Sequence, residues 1–217
     1  MYLPKHFEEK NFSEMLSLMK ASPLTTLVIF SEGKLVANHI PMLWEAGEAD
    51  EEGLGHLTAH IPRSNSLSKL VSEVEALAIF HGPDSYITPN WYPTKKAHGK
   101  VVPTWNYQVV HAHGVMRVID DASWVHGQIS RLTEQSEASR GKDWQVSDAP
   151  DDYVGNLLKA LVGLELNIQN LIGKTKASQN QPVENQEGVV SGLSQSHLQK
   201  DLDMSAIVAK KAAKIQN

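Results

Sequence analysis

Hydrophobic and polar positions alternate with a period of two along several short segments of the chain. TTLVIF (25–30) and KLVANHIPMLW (34–44) flank the turn residues SEGK and predict a β-hairpin. GHLTAHI (55–61) and EALAIFHG (75–82) predict a third and a fourth strand, and VPTWNYQVVHAHGVMRVI (102–119) predicts a long one. Short strands in such regular succession are typical of an antiparallel barrel.

Apolar positions at helical spacing predict helices around these strands. NFSEMLSLMKAS predicts a helix that ends at Pro23, and DDASWVHGQISRLTEQSEAS (120–139) predicts another. APDDYVGNLLKALVG contains a short helical pattern, LELNIQNLIGK (164–174) alternates like a strand, and helix formers dominate from residue 182 onward. The expected fold is mainly β with peripheral helices, of the α+β class.

The composition is that of an ordinary globular protein, with 217 residues, 41% hydrophobic and 21% charged. No apolar run approaches the roughly 20 residues that span a bilayer, and MYLPKHFEEKNF lacks the apolar segment of a secretory signal. We therefore expect a cytoplasmic protein without a membrane segment. The absence of cysteine excludes disulfides and thiolate metal sites. The net charge of -5 argues against a generally basic nucleic-acid binder.

AHIPRSN (59–65) places polar side chains at the end of a predicted strand. The guanidinium of Arg63 can form two hydrogen bonds to phosphate oxygens, and Ser64 and Asn65 can occupy the remaining acceptors. A surface arginine in a polar turn is the alternative interpretation of this motif.

GKTKASQN (173–180) is a second polar cluster. Lys174 and Lys176 share one face if the strand continues, because side chains two positions apart point the same way. One anionic group could therefore recruit both cations, although a solvated strand end explains the motif equally well. No P-loop and no GxGxxG sequence occurs in the chain.

HAH (111–113) puts His111 and His113 on one face of a strand, a spacing that metal sites use. A metal would need a third ligand, and the sequence brings none near, so no metal is predicted and the two rings can equally pack or form hydrogen bonds. HExxH, a paired-carboxylate signature and GxSxG are all absent. Hydrolase chemistry has no support, and no catalytic residue is predicted.

Residues 85–107, SYITPNWYPTKKAHGKVVPTWNY, combine large rings, prolines and cations. Aromatic faces can stack on a planar ring system, polar groups can bond the edge of a heterocycle, and lysines can attract a phosphate. The aromatic side chains are Trp91, Tyr92, Trp105 and Tyr107. The polar ones are Thr88, Thr104 and Asn106, and the lysines are Lys95 and Lys96. A small aromatic core that closes one end of the barrel is the alternative.

Several longer motifs occur in order along the chain: MYLPKHF, AHIPRSN, FHGPDSYITPNWYPTK, KVVPTWNYQVVHAHG, GKTKASQNQP and GVVSGL. Together they resemble the PaiB-type proteins, which are described as FMN-binding negative transcriptional regulators. The resemblance implies an FMN-binding split β-barrel domain with peripheral helices over residues 1–195. Residues 196–217 carry no motif and are expected to form a C-terminal helical tail.

The resemblance also implies a homodimer that binds FMN at the subunit interface. It assigns the flavin phosphate to Arg63, Ser64 and Asn65, with His60 at the edge of the same pocket. The residues expected to approach the flavin from the partner subunit are Trp91, Tyr92, Lys95, Thr104, Trp105 and Asn106. The further matches to the family motif are Lys176, Ser178, Gln179 and Asn180.

Three functions follow as hypotheses. The first is a regulatory role, because the resemblance implies regulation of protease synthesis and sporulation genes in the bacteria that gave the family its name. We expect negative control of transcription to be indirect, because no basic face or helix-turn-helix supports direct DNA binding. The second is an NAD(P)H-dependent flavin reductase of a small oxidised substrate. The third is binding of another planar anionic ligand, such as haem with a histidine as axial ligand.

Overall fold

The computed structural model describes residues 1–47, 53–138, 140–141 and 143–215. The chain divides into two compact units. The first unit contains Met1–Leu18, His81–Val110 and the described residues from Ile172 onward, and the second contains Met19–Phe80 and His111–Leu171.

The predicted strands and helices are present, most of them within a few residues of the expected bounds. The strands are β1 (Glu8–Glu9), β2 (Leu24–Ser31), β3 (Lys34–Pro41), β4 (Leu43–Glu45), β5 (His56–Pro62), β6 (Val74–Ile87), β7 (Thr104–Ile119) and β8 (Leu161–Lys176). The α-helices are α1 (Phe12–Ala21), α2 (Thr94–His98), α3 (Ala122–Ala138), α4 (Asp151–Leu158), α5 (Val183–Ser194) and α6 (Gln199–Ile215). Residue 139, the last of the helix predicted over 120–139, lies outside the described residues.

The strands form one antiparallel sheet in the order β3-β2-β6-β7-β8-β5-β4, and β1 pairs with β8 beside this path. The hairpin predicted from SEGK is confirmed, with Ser31 opposite Lys34 and Leu24 opposite Pro41. Among the described residues the sheet does not close, since β3 and β4 end the pairing order. The α+β class and the antiparallel sheet with peripheral helices are thus confirmed.

The second unit has the half-buried strands that alternation predicts. In β2 the side chains of Thr25, Leu27 and Ile29 are buried and their neighbours are more exposed, so one face of the strand lies on the core. Gly114 on β7 permits a close backbone approach, because a Cβ at this position would lie 1.9 Å from the carbonyl oxygen of Asn167 on β8.

The first unit has its own hydrophobic core, in which β6, the loop after it and the two C-terminal helices meet. Ile87, Tyr92, Val189, Leu193 and Met204 are all buried there. Because α6 contributes Met204 and Val208 to this core, residues 199–215 are an integral part of the first unit. The boundary predicted at residue 195 therefore does not coincide with a division between the units. No helix within the described ranges is long and apolar enough to cross a membrane.

Candidate functional site

A cavity of about 190 Å³ lies within the first unit. Its walls come from the N-terminal 3-10 turn, the loop before β7, the start of β7 and the turn after β8. The lining residues are Phe7, Tyr92, Val102, Pro103, Thr104, Asn106, Lys176, Ser178, Asn180 and Gln181. Six of the fourteen predicted site residues therefore line one cavity: Tyr92, Thr104, Asn106, Lys176, Ser178 and Asn180.

The geometry of β7 brings two of these side chains, Thr104 and Asn106, to the same wall of the cavity. Thr104 and Asn106 lie two positions apart at the start of β7, so their side chains point to one face. The ammonium of Lys176 donates a hydrogen bond to Thr104 Oγ1, and Asn106 Nδ2 donates to Ser178 Oγ at 2.9 Å. These two bonds join β7 to the end of β8 around the cavity.

Two buried polar atoms in the cavity wall have no hydrogen-bond partner within the described chain. They are Asn106 Oδ1 and the hydroxyl oxygen of Tyr92. Leaving a buried polar group unpaired costs about 1–3 kcal/mol, so proteins rarely keep such groups without a use for them. Burial also raises the pKa of Tyr92, which keeps the phenol protonated and able to donate. Two residues that line the cavity thus carry one unpaired acceptor and one unpaired donor.

Lys176 supplies positive charge at the same place. Burial lowers the pKa of Lys176 below its ordinary value of 10.5, and the nearby charge of Lys174 acts in the same direction, while Tyr107 opposes both. The ammonium also lies 5.9 Å from the centre of the Phe7 ring. A partly desolvated cation favours an anionic ligand, because the ligand restores the interactions that burial removed.

The turn after β8 is held by the side chain of Gln179. Its Oε1 accepts from the Ala177 backbone N–H and its Nε2 donates to the Thr175 carbonyl, both at 2.6 Å. Within this turn Ser178 has a φ of 61°, which is uncommon for a residue other than glycine. Such conformations cluster at ligand sites, and here the turn places the Ser178 hydroxyl against Asn106.

Some cavity residues that were not predicted as site residues lie inside the family motifs. Phe7 ends MYLPKHF, and Gln181 stands next to last in GKTKASQNQP. Gln181 is fixed from α5, where Asn185 Nδ2 donates to its Oε1 at 3.1 Å and Gln186 Nε2 donates to its carbonyl at 2.7 Å. Their presence in those motifs was the signal that could have identified them.

The aromatic residues of the stretch 85–107 divide between core and surface. Trp91 packs on the core of the first unit and does not line the cavity, whereas Tyr92 contributes to both. Trp105 is 50% exposed and makes an edge-to-face contact with Tyr86, with ring centres 5.9 Å apart. The ammonium of Lys95 donates to Asn90 Oδ1 on the surface. Trp91 therefore contributes to the core of the first unit, and its cofactor role stays a prediction.

The predicted phosphate residues belong to the second unit. Arg63 Nε donates to the Lys159 carbonyl at 2.9 Å, and both Nη atoms donate to the carboxylate of Asp120. The hydrogen bond from Arg63 lowers the pKa of Asp120. Both groups are largely exposed. Their role toward a phosphate stays a prediction.

The neighbours of Arg63 have structural partners as well. Asn65 caps the short 3-10 helix Ser66–Lys69 by accepting from the Leu67 N–H, and its Nδ2 donates to Asn38 Oδ1 at 2.9 Å. Ser64 is exposed on this turn. His60 Nδ1 lies 2.8 Å from Gln128 Oε1. The structure therefore gives Asn65 and His60 local partners in the second unit, and the cofactor role of all three residues stays a prediction.

The two strand histidines have ring centres 6.1 Å apart. In the part of the chain that the structure describes, no group of three or more His, Cys, Asp or Glu side chains is arranged to hold a metal ion. His111 and His113 thus have no third side chain beside them, among these residues, with which to hold a metal ion.

Comparison with known proteins identifies the family. The sequence model of a family described as "Putative FMN-binding domain" matches residues 1–170. The chain belongs to this family. An uncharacterized protein of Emericella nidulans is 35% identical over 225 residues, covering 88% of this chain and 90% of the relative. The Bacillus subtilis protein named "Protease synthase and sporulation protein PAI 2" is 26% identical over 181 residues, covering 83% of each chain. The resemblance to PaiB-type proteins is confirmed.

Solved structures share the fold at low sequence identity. The FAD and heme binding protein from Mycobacterium smegmatis matches with a TM-score of 0.55 and 17% identity, covering 78% of this chain and 73% of that one. The flavocytochrome Anf3 from Azotobacter vinelandii matches with a TM-score of 0.54 and 12% identity, covering 80% and 72%. These similarities support the fold assignment.

Proposed function

We propose that this protein binds FMN in the cavity of the first unit, as a PaiB-type flavoprotein. The observation that supports this proposal most directly is the pair of buried, unpartnered atoms, Asn106 Oδ1 and Tyr92 OH, beside the partly buried ammonium of Lys176. The edge of a flavin ring carries one N–H donor flanked by carbonyl acceptors, and its phosphate is anionic. These groups complement the free acceptor, the free donor and the cation of the cavity.

Each side chain has a distinct role in this proposal. Asn106, whose amide nitrogen is held by Ser178, accepts from the ring N–H, and the protonated phenol of Tyr92 donates to a carbonyl. Lys176 attracts negative charge, either on the phosphate or on a reduced ring. When bound, a flavin supplies one-electron and two-electron redox chemistry. The protein positions the ring and provides its electrostatic surroundings.

A second copy of the chain completes the site in this proposal. The cavity of about 190 Å³ is smaller than the roughly 300–1,000 Å³ usual for ligand pockets, so one chain encloses only part of a flavin. Val102 in the cavity wall is 74% exposed, and Trp105 and Tyr86 nearby in sequence are about half exposed. Exposed apolar groups of this kind are typical of protein interfaces. We therefore propose a homodimer with the flavin at its interface.

Regulation is the physiological role we propose, and a cytoplasmic location goes with it. Its support is the 26% identity to the Bacillus subtilis protein named for protease synthesis and sporulation. With a net charge of -5, we expect the effect on transcription to be indirect, through a ligand, the redox state or a protein partner. Specific binding of the purified protein to a DNA duplex at physiological salt would contradict this.

The alternative is an NAD(P)H-dependent reductase, and an absorption spectrum distinguishes the two roles. FMN is added to the purified protein, the excess is removed, and NADH or NADPH is then added without oxygen. Retained flavin bands that do not bleach agree with a regulatory role. Bleaching of the bands within seconds to minutes would favour the reductase. Loss of all flavin during gel filtration would contradict the binding proposal itself.

Haem is less well suited to this cavity, because no histidine is among its lining residues in the described chain. The same spectroscopic experiment, repeated with haem, tests this point. A Soret band that survives gel filtration and is lost in competition with FMN would show that the cavity takes haem.

Replacing Asn106 with leucine tests the proposed contact. The substitution removes an unpaired buried acceptor together with one hydrogen bond to Ser178, and the two effects nearly cancel. We expect the free energy of unfolding to change by less than about 1 kcal/mol while FMN affinity falls about tenfold. Flavin fluorescence titration and chemical denaturation measure the two quantities. Unchanged FMN affinity would remove Asn106 from the site.

A further inference from the structure

The second unit has a cavity of its own. It encloses about 430 Å³ and lies between α3, α4 and the ends of β5 and β8. Its lining includes His60, His126, Ile129, Trp144, Leu157 and Leu161. The volume falls within the roughly 300–1,000 Å³ range of small-molecule pockets.

The chemistry of the lining selects an uncharged ligand. Aliphatic and aromatic side chains dominate the wall, and none of the described residues that line it is Asp, Glu, Lys or Arg. An ionic ligand would lose its hydration without gaining a partner of opposite charge, and this is strongly unfavourable. The rings of Trp144 and Tyr153 and the branched side chains suit a flat apolar molecule.

His60, which lines the cavity, is held by Gln128, which does not. Gln128 is fully buried, and its Nε2 donates to the Thr58 carbonyl at 3.4 Å. Its Oε1 therefore faces His60 Nδ1 at 2.8 Å and accepts the proton of that nitrogen. The reverse orientation of the amide would set its oxygen against the Thr58 carbonyl, acceptor to acceptor. In the neutral ring His60 thus carries its proton on Nδ1 and has a lone pair on Nε2.

The rim of the cavity is accessible from solvent. Trp144, Tyr153 and Leu157 are 48%, 57% and 48% exposed, although all three are large apolar or aromatic side chains. Side chains of this kind grouped at the mouth of a cavity are a feature of binding sites, because a ligand covers them when it enters.

We propose that this cavity binds a small, uncharged aromatic molecule that carries a hydroxyl group. The ring system packs against the apolar wall, and the hydroxyl donates to Nε2 of His60. The residues that line this site all belong to the second unit, whereas the cavity proposed for FMN is lined by residues of the first.

Two probes of nearly equal shape isolate the hydroxyl: 2-naphthol and 2-methylnaphthalene. Binding of each to the full-length protein is measured by equilibrium dialysis. We expect 2-naphthol to bind about tenfold more tightly, because only its hydroxyl can use the acceptor of His60. In His60→Leu the two probes should bind equally, with the affinity for 2-methylnaphthalene retained.

A second set of variants tests the location of the site. Leu157→Asp places a charge at the rim and should weaken both probes at least tenfold. Leu24→Asp is the matched control, because Leu24 is 61% exposed in the same unit and does not line the cavity. Far-ultraviolet circular dichroism, measured in every variant, reports that the protein is folded.

His60→Leu leaves the buried Oε1 of Gln128 unpaired, so the double variant His60→Leu/Gln128→Leu is measured as well. It should likewise bind the two probes equally. Failure of the wild-type protein to bind either probe would overturn the proposal. Equal affinity of the wild type for both probes, or unchanged binding in Leu157→Asp, would also overturn it.

Discussion

Lys176 links the proposed flavin site to pH. Burial lowers its pKa, so its charge is lost at a lower pH than that of an exposed lysine. In the unfolded chain Lys176 regains its ordinary pKa of 10.5 and binds more protons between the two values. Its contribution to the free energy of unfolding therefore rises with pH across that window, and below it the buried charge is unfavourable.

We predict the opposite pH trend for FMN affinity. The anionic ligand is attracted by the charged ammonium, so the affinity should fall as pH rises through the lowered pKa of Lys176. Lys176→Met should bind FMN more weakly at neutral pH and lack this decline. Lys176→Arg is the control, because arginine keeps its charge throughout. Fluorescence titrations from pH 7 up to the ordinary pKa of 10.5 measure the trend, and a flat wild-type profile would contradict it.

Arg63 has two possible roles, which paired substitutions separate. If it binds the flavin phosphate, Arg63→Ala should lower FMN affinity tenfold or more, and Asp120→Ala should not, because Asp120 only pairs with Arg63. If Arg63 serves only to join Asp120 and the Lys159 carbonyl, neither variant changes FMN affinity. Titration of the wild type and both variants with FMN distinguishes the roles. An affinity of Arg63→Ala equal to that of the wild type would remove Arg63 from the site.

Helix α5 depends on a glycine to approach the loop that carries Trp91. A Cβ on Gly188 would lie 2.0 Å from the Trp91 carbonyl oxygen, and this backbone atom cannot move aside as a flexible side chain would. We predict that Gly188→Ala lowers the free energy of unfolding by about 1–3 kcal/mol, the usual cost of overpacking. Because Tyr92 follows Trp91 directly, FMN affinity should fall too.

Gly155 in α4 provides the matched control. A Cβ at this position meets no atom within 4 Å, so Gly155→Ala should stabilise the helix by about 0.5–1 kcal/mol through helix propensity alone. Chemical denaturation of both variants compares the two effects. Equal stability changes in the two variants would show that α5 shifts to accept the methyl group.

The assembly is best tested at Trp105. If this half-exposed ring packs in a homodimer interface beside the flavin, Trp105→Ala should raise the dimer dissociation constant at least tenfold and weaken FMN binding. Trp144→Ala, which removes a ring of similar exposure from the second unit, should change neither. Sedimentation equilibrium and FMN titration give the two constants. Loss of only one property would show that flavin binding and dimerisation are separate.

The local pattern of hydrophobic and polar residues was sufficient to predict most of the strands and helices. Alternation along TTLVIF and a glycine-containing turn define the first hairpin through interactions within a few residues, and the structure confirms it. Family motifs also located Asn106, Lys176 and Ser178, which line one cavity. The same motifs could not separate a wall residue from a core residue, because Trp91 and Tyr92 are neighbours in sequence with different surroundings.

Contacts between distant segments required the tertiary structure. The bond from Asn106 to Ser178 spans 72 positions, and the pair of Arg63 with Asp120 spans 57. Periodicity specifies which face of a strand a side chain occupies, but not which strand lies beside it. Whether a polar group is paired, free or buried depends on that neighbour. The sequence therefore identified the side chains capable of the chemistry, and the packing of distant segments left Asn106 and Tyr92 with unpaired buried atoms.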